Sequence, residues 1–351
     1  MSDLFGAVAP DDTPFGRATR LRILAGYFDD AGNVTAGNAW EHVYRCLLWM
    51  NEGAGLAHIY DSNHMQPGKV FHSRAVRFTE ALCGMWHLDK PGLAKVIDKL
   101  FKGCVLELLR QGAAAAASGG GDEGIAAELE SELTGEIAAE LVAAGIAEAE
   151  ANILARRIET KARHFFTIGN KRKNALGEGF EDLLEILLAK ASGIPPDRIK
   201  TRTPVSQMPG FRRAPPKTKG GKAPREPRPD IAVVEGDITH VIATAKWSIR
   251  QDRETQFASE YQAFQMNKTQ PTELRYALVT NEFDLARLRN VCNAIPGGAG
   301  GYIFHNVYHV CLPLLQQTHG AGFKPLQPYV QIGKLASLSD FLTDMQARFG
   351  R

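Results

Sequence analysis

The spacing of apolar and polar positions changes rhythm near residue 174. Before it the rhythm is helical. Residues 38–60 and 68–111 carry Leu, Trp, Met and Ala at three- and four-residue intervals, with breaks near Pro67 and Pro91. Residues 123–146 and 148–164 are rich in Ala and Glu and predict two further helices parted at Gly145. The low-complexity run at 111–122 reads as a hinge, and residues 1–20 as an irregular tail. Beyond residue 174 the periods mix. A helix over 178–190, with Phe180, Leu183, Leu184 and Leu187 inward, precedes a hairpin over 230–248. A helix at 252–265, a strand at 276–280, a helix at 284–294, a strand at 302–312 and a closing helix at 338–349 follow. This order predicts an α/β fold, a mixed central sheet flanked by helices over residues 166–351, behind an all-helical N-terminal domain of residues 1–165.

The hairpin carries the first candidate chemistry. Asp230 opens the apolar run 231–234, Glu235-Gly236-Asp237 is turn chemistry, and the chain returns through 238–247 to Lys246 and Trp247. Folding about Gly236 should bring Asp230 opposite the region of Ile242, and strand alternation then puts Thr244 and Lys246 on the Asp230 face. A carboxylate and an ammonium on one sheet edge suit a hard divalent ion and water attack on phosphorus. Mg²⁺ takes oxygen ligands, including substrate phosphate oxygens, and stabilises the charge that develops in displacement.

Nucleases with this pattern mostly place a second acid two residues before the lysine, where this chain has Thr244. Glu260 is the natural substitute, on the 252–265 helix beside the apolar face formed by Phe257, Tyr261 and Phe264. Between lysine and acid lies Arg250-Gln251-Asp252-Arg253. Arginine forks match guanine O6 and N7 in the major groove, and a carboxylate accepts from the cytosine N4 amine, so this set suits a G·C-rich core. Two-fold protein symmetry would double such a half-site into a palindrome. Glu181 lies at the border of its helix stripe, as a supporting acid or a solvated glutamate, with Asp182 and Glu185 further towards the polar side. Lys171-Arg172-Lys173 is a phosphate contact or a solvated basic turn.

Pro-Asp, then Thr-x-Lys, then Arg-x-Asp-Arg, then Glu fourteen residues after the lysine resembles the BsaWI-type (CCGG-family) type II restriction endonucleases, over residues 165–315. The resemblance implies a PD-(D/E)XK (restriction endonuclease-like) core, Mg²⁺ dependence, and a homodimer on double-stranded DNA with no nucleotide cofactor. Cleavage would fall at a palindromic site with a CCGG core. It also implies that Asp230 and Glu260 ligate the metal, that Lys246 is catalytic with Glu181 in support, and that Arg250, Asp252 and Arg253 read bases. The family often has a small Ser where this chain has Gln251. Two other readings use the same residues: a repair or junction-resolving nuclease, and an inactive sequence-specific DNA-binding protein. The base-reading segment argues against the first, and the intact Asp230, Lys246 and Glu260 against the second.

Net charge is only +2, so overall charge argues for no partner, but its distribution does. Within 200–228 stand Lys200, Arg202, Arg212, Arg213, Lys217, Lys219, Lys222, Arg225 and Arg228, against Glu226 alone. Pro and Gly are dense there, so the segment should not pack a core and is expected to be ordered by an anion. Placed just before the hairpin, Lys217, Lys219 and Lys222 are candidates for phosphate contact, the alternative being a solubilising linker. Five widely spaced cysteines without a Cys-x-x-Cys read as reduced, cytoplasmic and not zinc-binding. Neither a signal peptide nor an eighteen-residue apolar run is present, so no membrane span is expected.

Overall fold

The hairpin is the centre of a six-stranded sheet in the computed structural model. The structure describes residues 15–54, 70–97, 100, 104, 138–139, 141–212, 226–249, 254–295 and 302–350. Strands β1 (Ile199–Thr201), β2 (Ile231–Glu235), β3 (Ile238–Lys246), β4 (Arg275–Thr280), β5 (Asn306–His309) and β6 (Leu335–Ser337) lie side by side in chain order. The β1–β2 and β2–β3 pairs are antiparallel, and β3 to β6 are mutually parallel. Parallel neighbours require crossovers. These are supplied by α6 (Glu254–Asn267) between β3 and β4, α7 (Leu285–Asn293) between β4 and β5, and α8 (Leu312–His319) with α9 (Gln327–Gln331) between β5 and β6. Helix α10 (Leu338–Phe349) closes the chain, and α1 (Arg17–Asp30), α2 (Ala39–Ala54), α3 (Val70–Trp86), α4 (Lys90–Val96) and α5 (Glu148–Ala191) precede the sheet. The fold is mixed α/β.

The hairpin register differs from the expected one, for two reasons that add. Glu235 pairs with Ile238, so the turn has two residues, with Gly236 at φ +55 as its first. A glycine there suits the tight turns that match strand twist. The pairing then shifts between Val233 and Val234, which inserts one extra residue into β3. Each effect moves the partner by one position. Ile231 therefore pairs with Ala243, and Asp230 stands level with Thr244 rather than Ile242. A shift of two preserves the face, so Asp230 and Lys246 still meet.

Five other expectations change. The first part of the basic segment, expected to pack no core, joins the core through Val205, Met208 and Phe211, because its apolar residues fall between the charged ones. Residues 17–20, expected in a tail, begin α1, whose Arg17 and Arg20 pair with acids of α5. Helix α5 runs unbroken from 148 to 191, so Lys171-Arg172-Lys173 lies within a helix rather than a turn. The expected strand at 302–312 shortens to 306–309, because Cys311 already caps α8 and Pro313 occupies its first turn. Strands β1 and β6 are three residues each and went unpredicted. Gly145, at φ +91, does end the segment before α5. The hinge at 111–122 lies outside the described residues.

The described N-terminal helices and the sheet share one core, running through Leu47, Phe78, Phe180, Trp247, Leu278 and Phe341. Helix α2 lies along α5 so closely that a Cβ on Gly179 would meet Leu47 Cδ2 of α2 at 3.4 Å, and Leu100 Cδ2 at 2.8 Å. Trp247 is packed edge-on by Tyr44 from α2 and Phe180 from α5, at centroid distances of 6.3 and 5.4 Å. Such pairs add about 0.5–1.5 kcal/mol beyond burial. The strand end that carries Lys246 is thus held by helices from both halves of the chain. Among the described residues no helix is long and apolar enough to cross a membrane.

Candidate active site

At the end of β3, Asp230 Oδ2 accepts from Lys246 Nζ at 2.6 Å and from the Ala245 N–H at 2.8 Å. The backbone donor fixes the carboxylate in place, and the ammonium is fixed by it in turn. Both side chains remain partly exposed, at 17% and 24%. A pair this exposed contributes little to stability. It does leave a positioned ammonium facing solvent beside an acid.

Helix α6 brings Glu260 to the same place. Phe257 and Phe264 are buried on its sheet side, and Tyr261 stacks on Tyr276 of β4. Gln256 donates to Glu260 Oε1 at 2.6 Å, and the Tyr276 hydroxyl donates to Oε2 at 3.4 Å. The same phenol is 2.8 Å from the Thr244 hydroxyl. Position 244 therefore supplies no carboxylate but ties Glu260 to the sheet through Tyr276. Burial raises the Glu260 pKa, opposed by the Gln256 amide, Lys246 and the Tyr276 hydroxyl, while the Asp230 charge adds to the rise. Burial also keeps Tyr276 protonated, far above its ordinary value.

Glu181 projects from α5 into the same charge field. Burial is the main cause raising its pKa to about 7, and Asp230 is the second. Arg202 opposes both and is ion-paired with it. Arg202 sits at φ +52, unusual for a residue with a Cβ. That geometry lets its N–H donate to the Asp230 carbonyl at 3.2 Å while its guanidinium reaches Glu181, Asp182 and the Glu178 carbonyl. One residue thus links the start of β2 to the acids of α5.

The structure therefore gathers Asp230, Lys246, Glu260 and Glu181 around one end of the sheet. The expectation for Asp182 is overturned. It is fully buried, held by Arg20 Nε at 2.7 Å, Arg202 at 3.1 Å and Arg17 at 3.7 Å. Polarity placed it outward on a helical wheel, but α1 covers that face with arginines. Arg250, Gln251, Asp252, Arg253, Lys217, Lys219 and Lys222 lie outside the described residues. Sequence reasoning missed Tyr276, which reads as an ordinary strand aromatic, and Arg202, which was one basic residue among many.

The donor set fits a hard divalent cation. Among the described residues no three His, Cys, Asp or Glu side chains form a ready cage. Mg²⁺ does not need one, since it is usually held by one or two carboxylates and keeps several waters. Asp230 and Glu260 offer those two carboxylates. Glu260 is hydrogen-bonded by neutral groups, so a cation would answer the charge that its burial disfavours.

No family model matches this sequence, and no curated protein matches it. Solved structures do match it. One of them is a restriction endonuclease PspGI–substrate DNA complex, 13% identical, covering 78% of this chain and 91% of that chain with a TM-score of 0.31. A superposition that loose carries no argument, so the functional reading stands on the site itself.

Proposed function

We propose that this chain is a PD-(D/E)XK type II restriction endonuclease that hydrolyses both strands of DNA, as a homodimer, at a palindromic site with a CCGG core. The observation that carries the reading is the Asp230–Lys246 pair on one strand end, with Glu260 brought beside it from the following helix. Asp230 and Glu260 would hold Mg²⁺, which supplies Lewis-acid stabilisation of the charge developing on the phosphoryl oxygens. Lys246 orients the attacking water and balances negative charge near the scissile phosphate. The Ala245 N–H and Lys246 keep Asp230 from rotating, and Tyr276 does the same for Glu260. Glu181 stands behind Asp230, and Arg202 limits the repulsion between them. Arg250, Asp252 and Arg253 follow Lys246 closely in the chain, which would couple base reading to cleavage.

The deciding experiment is digestion of a plasmid pool with Mg²⁺, followed by sequencing of the ends. Defined termini centred on CCGG support the proposal. Cleavage with random ends, or only at branched DNA, supports a different nuclease. Sequence-selective binding without any cleavage supports the inactive DNA-binding protein.

A further inference from the structure

Between Lys246 and the base-reading segment the chain passes through Trp247, Ser248 and Ile249, and that passage is held on every side. Ile249 is fully buried. Its N–H donates to Glu282 Oε2 at 2.7 Å, and its carbonyl accepts from Arg287 Nη1 at 2.6 Å. One step earlier, the Trp247 carbonyl accepts from the Asn281 N–H at 3.1 Å. Both peptide groups of Ile249 are therefore fixed by side chains, Glu282 of the β4–α7 connection and Arg287 of α7. The connection is itself rigid. Glu282 Oε1 accepts from the Asp284 N–H at 2.7 Å, and Asp284 caps α7 through the Ala286 and Arg287 N–H groups. Asn281 Oδ1 takes the Tyr44 hydroxyl at 2.8 Å.

Glu282 is an expensive way to hold a loop. Its side chain is fully buried, and burial raises its pKa to about 7 against the two N–H donors and Arg287, which lower it. A buried carboxylate is costly unless its hydrogen bonds are satisfied. An apolar residue could pack here, but it could not accept two N–H groups at set distances. What the arrangement secures is position: Ile249 immediately precedes Arg250, and α6 begins again at Glu254.

We infer that Glu282 and Arg287 are positioning residues for DNA sequence discrimination, locking the peptide groups of Ile249, the residue that immediately precedes Arg250 and the 250–253 segment it opens. The inference rests on the reading of that segment as the base reader. Direct readout tolerates only small misplacement, because bidentate contacts need both atoms in line. Loosening the clamp should weaken discrimination and leave phosphate-driven binding intact.

The test measures competitive binding in Ca²⁺ to duplexes carrying CCGG with randomised flanks, against the same pool with one core base changed. Arg287→Met, at a side chain 27% exposed, should fold as the parent does, with its melting curve as the control. It should lower the preference for CCGG by about tenfold, the lower end of what one bidentate contact contributes, with non-specific affinity unchanged. Arg287→Lys, which keeps a donor for the Ile249 carbonyl, should restore part of that preference. Glu282→Gln should match Arg287→Met, since an amide cannot accept both N–H groups. If the parent prefers CCGG and Arg287→Met keeps that preference within about twofold, the clamp is structural only and the inference fails. If the parent shows no preference among the pools, the base-reader reading fails and takes the inference with it.

Discussion

Arg20→Met isolates what joins α1 to α5. The Arg20 side chain is 1% exposed. It donates to Asp182 Oδ2 at 2.7 Å, to Glu178 Oε2 at 2.6 Å and to the Phe15 carbonyl at 2.5 Å. Glu178 is 48% exposed, so its pairing contributes little. The penalty comes from Asp182, which has no exposure and would keep only Arg202 and Arg17 as cations. Removing one partner of a buried ion pair costs about 3–5 kcal/mol, and two surviving guanidiniums argue for the lower end, about 3 kcal/mol. Methionine retains most of the stem packing, so the loss reports charge rather than volume. The assay is urea unfolding followed by tryptophan fluorescence and circular dichroism. The double variant Arg20→Met/Asp182→Leu should recover more than half of the loss, because replacing both partners with apolar groups is often close to neutral. A cost under about 1 kcal/mol for the single variant, or a double variant no better than the sum of its parts, would refute the reasoning.

Asp230→Ala and Glu260→Ala should each abolish cleavage while leaving sequence-specific binding measurable in Ca²⁺, and Lys246→Ala should likewise stop turnover; full cleavage by Glu260→Ala would remove the acid on α6 from the site. Neutralising Lys217, Lys219 and Lys222 should weaken binding to all sequences alike and flatten its salt dependence by up to about one unit of slope per lost phosphate contact, whereas an unchanged slope makes the segment a linker. His309 is fully buried, and burial lowers its pKa to about 3. The unfolded chain takes that proton near pH 6.5 and the folded chain refuses it, so this residue withdraws stability as pH falls below 6.5, by about 1.4 kcal/mol per pH unit. Glu282 and Glu181, each raised to about 7, act in the opposite sense between their unfolded values and pH 7. The direct check is therefore the His309 ring resonance, which should not titrate between pH 7.5 and pH 5.

How much of this was legible depends on what each element buries. The closing helix was readable to the residue, Leu338–Phe349, because Ser337 and Asp340 form a capping box before a clear apolar stripe. The face shared by Asp230 and Lys246 was readable because strand alternation survives any register shift of two. The shift itself was not, since neither the two-residue turn nor the extra residue in β3 leaves a mark in the apolar pattern. Helix α1 was invisible for the opposite reason: it buries Arg20 and Thr19 beside Leu24 and Phe28, and buried arginine breaks the periodicity that marks a helix. Asp182 was misplaced by the same rule, because its burial depends on cations that arrive from 162 residues away. Glu282 had no signal at all. A lone acid after a strand reads as a turn residue until the backbone it holds is seen.

The acids at this end of the sheet differ in the company they keep, and the difference orders their roles. Asp182 is surrounded by three arginines and buried completely, which makes it a structural anchor. Glu181 shares Arg202 with it but also feels Asp230, so it is intermediate between anchor and site. Asp230 has one cation, on a side chain that still reaches solvent. Glu260 is hydrogen-bonded only by Gln256 and Tyr276 among the described residues, with Lys246 near enough to act on it but not paired to it. Moving from α1 toward the hairpin, fixed positive charge therefore thins out while carboxylates persist. A protein built only for stability would have no reason to leave the last acid short of a counter-charge in a half-buried setting. The proposed site for a divalent cation and a phosphate would fit that gradient, which among the described residues ends at Glu260, with Lys246 acting on it only through its charge.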